Sequence, residues 1–86
     1  MKIGQIVIST FGHDMGEWYV VKEVEKNYVH LMDGKNKPIE KPKKKKIKHV
    51  LQTEMFAGDI ALKIATGQYL QNAEVRKTLK FFKKQF

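Results

Sequence analysis

Eight lysines fall within residues 35 to 48: Lys35, Lys37, Lys41, Lys43, Lys44, Lys45, Lys46 and Lys48, with Glu40 the one acid among them. A lysine ammonium is a compact point charge with three donors on a flexible stem. Against phosphate, each such group neutralises one charge and releases a condensed counterion. The affinity that results is strong, sensitive to salt and poorly selective for base sequence. A segment serving only solubility would intersperse both signs, because cations held this close repel one another. Its chemistry therefore points to phosphate.

The other residues able to do chemistry are few. GHDMG, residues 12 to 16, could offer backbone N–H groups to phosphate where Gly12 and Gly16 allow positive φ, with His13 and Asp14 beside them for a base edge or a metal. The same five residues also suit a plain strand connection. Trp18, Tyr19 and Tyr28 could stack on unpaired bases or fill a small core. Trp18 is the foremost stacking candidate, because Tyr19 and Val21 form an inward pair. His49 joins the basic face beside Lys48, and His30 alternates with Val29 and Leu31 as a surface strand residue. The three histidines lie on different predicted elements without ligand spacing, so no metal site is expected. Neither a nucleophile with its base, nor a phosphate-loop sequence, nor a paired carboxylate site is visible. No catalysis, cofactor or small-molecule substrate is expected.

These residues need a scaffold, and the chain has room for one. At 86 residues and 10.0 kDa it can form a single small domain, and 42% apolar with 30% charged residues is ordinary for a globular protein. No cysteine is present to staple it, which fits a reducing cytoplasm. No long apolar run or signal-peptide layout suggests export or a membrane span. The net charge of +8 is uneven: residues 1 to 34 carry −2, residues 35 to 48 carry +7 and residues 49 to 86 carry +3.

GQIVISTF, EWYVVKEVE and YVHLMD read as three antiparallel strands, the first with Ile6 and Ile8 on one face. GHDMG and the Lys26-Asn27 pair connect them. Asp33-Gly34 turns the chain into a proline-bearing segment that holds a loop or a short edge strand around Ile39. IKHVLQ, residues 47 to 52, reads as the last strand. The run Lys43 to Lys46 is then expected as a loop anchored at both ends, whose charge could be removed without loss of fold stability.

From Glu54 the period lengthens. Phe56, Ile60 and Ile64 predict a helix to about Ala65 that stops at Gly67. Asn72 could cap a second helix with Val75, Leu79, Phe82 and Phe86 in one stripe and Arg76, Lys77, Lys80, Lys83 and Lys84 mostly opposite. Adjacent Phe81 and Phe82 cannot both face the centre of one stripe. Four or five short strands bury too little as an open sheet, so they predict a bent small barrel with the two helices on one flank. The expected organisation is a barrel over 1–53 with a basic loop at 35–48, and a helical extension over 54–86 packed on it.

Gly4, the strand Ile6 to Ile8, Gly12 and Gly16 in GHDMG, Val21 and Val24 together resemble the KOW family of RNA-binding and ribosome-associated domains. The blocks GQIVIS, GHDMGEWYVV, EKNYVHLMDG and IKHVLQT, in that order, are similar to bacterial relatives of the "fourteen-e" class of large-subunit ribosomal proteins. The resemblance covers about residues 3 to 53. It implies an SH3-like barrel whose loops contact RNA, commonly in translation. Two positions depart from the pattern: Met15 stands where a basic residue is common, and Tyr19 where a second glycine is common. The expected partner is RNA, ribosomal RNA above all, with ribosomal proteins nearby. The contrasting reading is a module that binds RNA polymerase or a ribosomal protein through the barrel and the phenylalanine-rich helix. A methyl-lysine reader would need an aromatic cage that Trp18, Tyr19 and Tyr28 do not form.

Overall fold

β-Branched and aromatic residues build β1 (Gln5–Ser9), β2 (Trp18–Val24) and β3 (Tyr28–Met32) into an antiparallel meander, with Ile6 opposite Val20 and Val20 opposite Met32. The structure, a computed structural model, describes residues 1–85. The expectation placed on Phe86 lies outside them. β4 (Lys43–Lys46) pairs with β3, and β5 (Val50–Phe56) pairs with β1, giving the order β4-β3-β2-β1-β5. The two edges of this sheet are consecutive in sequence, joined only by a 3-10 turn at Ile47–His49. Across a flat five-stranded sheet the edges would lie about 19 Å apart, at roughly 4.8 Å per strand. One 3-10 turn advances only about 2 Å per residue. The sheet therefore curls into a small barrel-like form, as the short strands required.

Alternation along the strands produces two cores rather than one. Val7, Tyr19, Val21, Val29 and Leu31 fill one face, joined by Met1, Ile47 and Val50. Ile6, Val20 and Met32 fill the other, where Ala57, Ile60, Val75 and Leu79 cover them. Each of the first three strands is thus buried on both faces, and this sheet-plus-helix sandwich is the fold. Ile8 shares the face of Ile6, as expected, and is half-buried near the end of β1.

α1 (Gly58–Ala65) starts two residues later than Phe56, which remains in β5. Ala57 is the cap residue, and its N–H donates to the Gly4 carbonyl at 2.7 Å. The barrel therefore continues through Phe56, past the expected boundary at 53. α2 (Asn72–Lys83) places Val75 and Leu79 in the core, Phe82 against it and Phe81 in solvent. Asn72 is the first helical residue, after the cap Gln71. Its amide oxygen accepts the Ile39 N–H at 2.9 Å, and its nitrogen donates to Glu40 at 2.9 Å. The β3–β4 connection, residues 33–42, is a loop. It is pinned there and at Asp33, whose Oδ1 accepts the N–H groups of Lys35 and Lys37. Among the described residues no helix is long and apolar enough to cross a membrane.

Candidate nucleic-acid interface

The four-lysine run is not a loop. Lys43–Lys46 is strand β4, with Lys43 opposite Leu31, Lys44 opposite His30, Lys45 opposite Val29 and Lys46 opposite Tyr28. Strand alternation then separates four chemically identical residues. Lys45 shares the face of buried Val29 and is itself only 8% exposed, whereas Lys44 and Lys46 face solvent. A row of lysines along an edge also discourages pairing with another chain, since β4 has a neighbour on one side only.

Lys45 finds a partner in Asp14 of the GHDMG turn. Its Nζ donates to Asp14 Oδ1 at 2.9 Å and to the Phe11 carbonyl at 2.7 Å. Ser9 Oγ donates to the same carboxylate oxygen at 2.9 Å, and Tyr19 OH donates to the other at 2.9 Å. The Lys43 ammonium lies 3.2 Å from Asp14 Oδ2. Burial by itself would raise the Asp14 carboxyl, but the hydrogen bonds from Lys45, Ser9, Tyr19 and Lys43 outweigh it. They hold the group well below the usual carboxylate range. Burial first, and then the bond donated to Asp14, push the Tyr19 phenol above its ordinary value. Charge on Lys45 and, in part, Lys43 is therefore committed to the fold, and the expectation that the run could lose its charge without loss of stability is corrected.

The turn itself is also engaged internally. Met15, Gly16 and Glu17 donate their N–H groups to the carbonyls of Gly12, Ser9 and Asp14 at 3.2, 2.8 and 2.9 Å. Gly16 has φ +90°, so the glycine is required by the turn's shape. Its N–H is not available to a phosphate, which corrects that part of the expectation. Gly12 and His13 remain at the exposed tip.

Solvent-facing cations gather elsewhere. An open groove of about 580 Å³ at the β2–β3 turn is lined by Lys26, Asn27, Tyr28, Lys46, Ile47 and Lys48. No acid lines it among the described residues. The Lys44 ammonium lies 4.7 Å above the Tyr28 ring, on the same strand edge. His49 stacks on Phe11 with centroids 4.3 Å apart and planes at 19°. Burial first, and then the charges of Lys48, Lys46 and Lys45, lower its pKa, so His49 presents a neutral ring near pH 7 rather than a further cation.

Lys35, Lys37 and Lys41 sit on the β3–β4 connection, with Lys35 and Lys41 exposed and Lys37 half-buried. None of the three lines the groove beside Tyr28. Trp18 packs on the Ile6 and Val20 cluster and lines a different groove, with Lys35 and α2. Sequence reasoning missed Lys26 and Phe11. Each is legible only as a residue at the rim of a turn, a position that periodicity does not describe.

Sequence reasoning also treated His30 singly. The structure groups it with Glu23 and Glu25, donor atoms within 4.8 Å of one another, in an arrangement able to hold a metal ion. His30 bonds to Glu25, and that bond is the main cause of the lowered Glu25 pKa. The Lys44 ammonium, 3.6 Å from Glu25, already supplies positive charge there. A comparison of the chain with protein-family models and with curated proteins finds no match.

Proposed function

We propose that this chain is a non-catalytic RNA-binding protein that grips phosphates with the exposed lysines around Tyr28 and works with ribosomal or other structured RNA in translation. The observation that carries this reading is the convergence of Lys26, Lys46 and Lys48 on one open groove that no described acid lines and one tyrosine ring borders. Lysines reaching one groove from two turns suit a phosphate backbone, while the ring offers a surface for an unpaired base. Lys35, Lys37 and Lys41 extend the positive field along the neighbouring connection. The resemblance of residues 3 to 53 to KOW domains supports the choice of RNA and of translation.

The test is the salt dependence of binding to structured RNA. Replacing Lys26, Lys46 and Lys48 together by Gln should lower the slope of log affinity against log salt by about 2 to 3, at roughly 0.7 to 0.9 per phosphate. The three side chains are exposed, so the melting midpoint should hold. A slope equal to that of the wild type overturns the reading. Exposed Phe56, Leu62 and Phe81 favour the contrasting reading, a surface for RNA polymerase or a ribosomal protein. Binding to such a partner would be nearly independent of salt.

A further inference from the structure

A second basic groove, of about 590 Å³, runs between the start of β2, the β3–β4 connection and α2. Lys35 enters it from the connection, Arg76, Lys80 and Lys83 enter it from α2 and Lys84 from the cap that follows, with Trp18 in its wall. Arg76, Lys80, Lys83 and the cap residue Lys84 stand at i, i+4, i+7 and i+8, which places them along one face. Like charges at that spacing weaken a helix slightly, so their accumulation calls for a counter-charge. Among the described residues, none of the five cations forms an ion pair. Glu74, the acid of α2, is engaged by Lys63 at 2.6 Å instead. Glu17 and Asp33 also line the groove, leaving three positive charges in excess, and Asp33 Oδ1 is occupied by the N–H groups of Lys35 and Lys37.

Complementing the helix dipole would explain Lys80 and Lys83 in the last turn. It explains neither Arg76, one turn earlier, nor Lys35, which comes from another element. The helix α2 is docked, and one of its cations is fixed by a hydrogen bond. Val75 and Leu79 bury the adjoining side of α2, with Leu79 also lining the groove, and Arg76 Nη1 donates to the Gly34 carbonyl at 2.6 Å. That single bond uses one of the five guanidinium donors.

We infer that this groove is a second phosphodiester site, one that takes a single strand of nucleic acid alongside the structured RNA gripped near Tyr28. The choice of a single strand rests on Trp18, an aromatic ring in the wall of the groove beside the cations, whose stacking surface suits an unpaired base. A cationic groove on a rigid helix that follows the backbone is the recognised chemistry of single-strand binding. The inference rests on the nucleic-acid reading above but on different residues, so the two can fail separately.

Trp18 is the one tryptophan of the chain, so its fluorescence reports this groove. The experiment titrates the full chain with an oligouridylate of about ten nucleotides and, in parallel, with a hairpin RNA, at several salt concentrations. The variants are Lys80→Gln with Lys83→Gln, and Lys77→Gln, an exposed α2 cation that does not line the groove. The oligouridylate should change Trp18 emission saturably. The double variant should lower its salt slope by about 1.4, at roughly 0.7 per phosphate on single strands. Lys77→Gln should bind as the wild type does, and the melting midpoints of all three proteins should agree.

Equal slopes for the double variant and the wild type overturn the inference. So does a loss as large in Lys77→Gln, or a polyphosphate that displaces the oligouridylate at equal phosphate concentration. Hairpin binding that falls only when Lys26, Lys46 and Lys48 are replaced, with the α2 variants silent on both RNAs, would sink the second site and leave the first reading standing. Single-strand binding that depends on α2, with hairpin binding indifferent to those three lysines, would do the reverse.

Discussion

The Lys45 ammonium lies 2.9 Å from the Asp14 carboxylate, and the two side chains are only 8% and 10% exposed. One of four consecutive lysines is thereby a structural residue, bonded across 31 positions to the turn that begins β2. Lys45→Gln should cost about 2 to 3 kcal/mol, because it removes the buried member of the pair and leaves Asp14 with only the more exposed Lys43 as counter-charge. Lys44→Gln and Lys46→Gln should each stay within about 0.5 kcal/mol, as solvent-facing changes do. Urea denaturation of the three variants checks the contrast. Equal costs at all three positions would show that Lys45 is not set apart by burial.

Asp14 links that pair to pH. Its folded pKa lies below the unfolded value of about 3.9, so its contribution to stability is complete above that value and disappears as the pH falls through the folded one. Asp14→Asn lacks the contribution at every pH. The stability gap between wild type and variant should therefore be constant from about pH 7 to 5 and narrow steadily below about pH 4. Denaturation midpoints across that range measure it. A gap that persists undiminished in acid would mean that Asp14 ionisation does not stabilise the fold.

Two glycines with positive φ should respond differently to an added methyl. At Gly34, with φ +76°, a Cβ would stand 2.3 Å from the Asn72 carbonyl oxygen and 3.1 Å from Val75 Cβ, so α2 would have to move. At Gly16, with φ +90°, nothing lies within 4 Å and only backbone strain remains. Gly16→Ala should cost about 1 to 2 kcal/mol and Gly34→Ala about 3 or more. A smaller loss of melting temperature at Gly34 than at Gly16 would contradict the close approach of helix and turn.

Two apolar residues of α2, Leu79 and Phe81, offer a packing test. Leu79 is 5% exposed and Phe81 is 59% exposed. Leu79→Ala should cost about 2 to 4 kcal/mol, whereas Phe81→Ala should cost well under 1. If Phe81→Ala destabilised as much as Leu79→Ala, the helix would be rotated from the orientation described.

Much of the fold was legible because neighbouring residues contrast. The alternation in GQIVIS and EWYVVKEVE marks strands, GHDMG marks a turn, and the spacing of Val75, Leu79 and Phe82 marks the buried side of α2. Where contrast is weak, the reading slipped. Ile47 to His49 reads as strand but forms the 3-10 turn, since closing the curled sheet from β4 to β5 outweighs local propensity. Asn72 reads as a helix cap, yet its amide bridges to Ile39 and Glu40, more than 30 residues earlier in the chain.

By itself the sequence determined that the chain is a small β-rich domain with C-terminal helices and that its positive charge is concentrated between Lys35 and Lys48. Only the tertiary structure decided what each of those cations does. A run of identical lysines has no pattern from which an inward face can be told from an outward one. Pairing Lys45 with Val29 and bringing Asp14 to its ammonium turned it inward, and leaving Lys46 opposite Tyr28 turned that side chain to solvent. The groove joining Lys35 to Arg76 and Lys80 was likewise invisible, because its charges meet only when α2 docks against the β3–β4 connection. Composition sets how much charge a chain carries, but desolvation and counter-charges, which depend on the folded neighbours, set which charges remain free to bind.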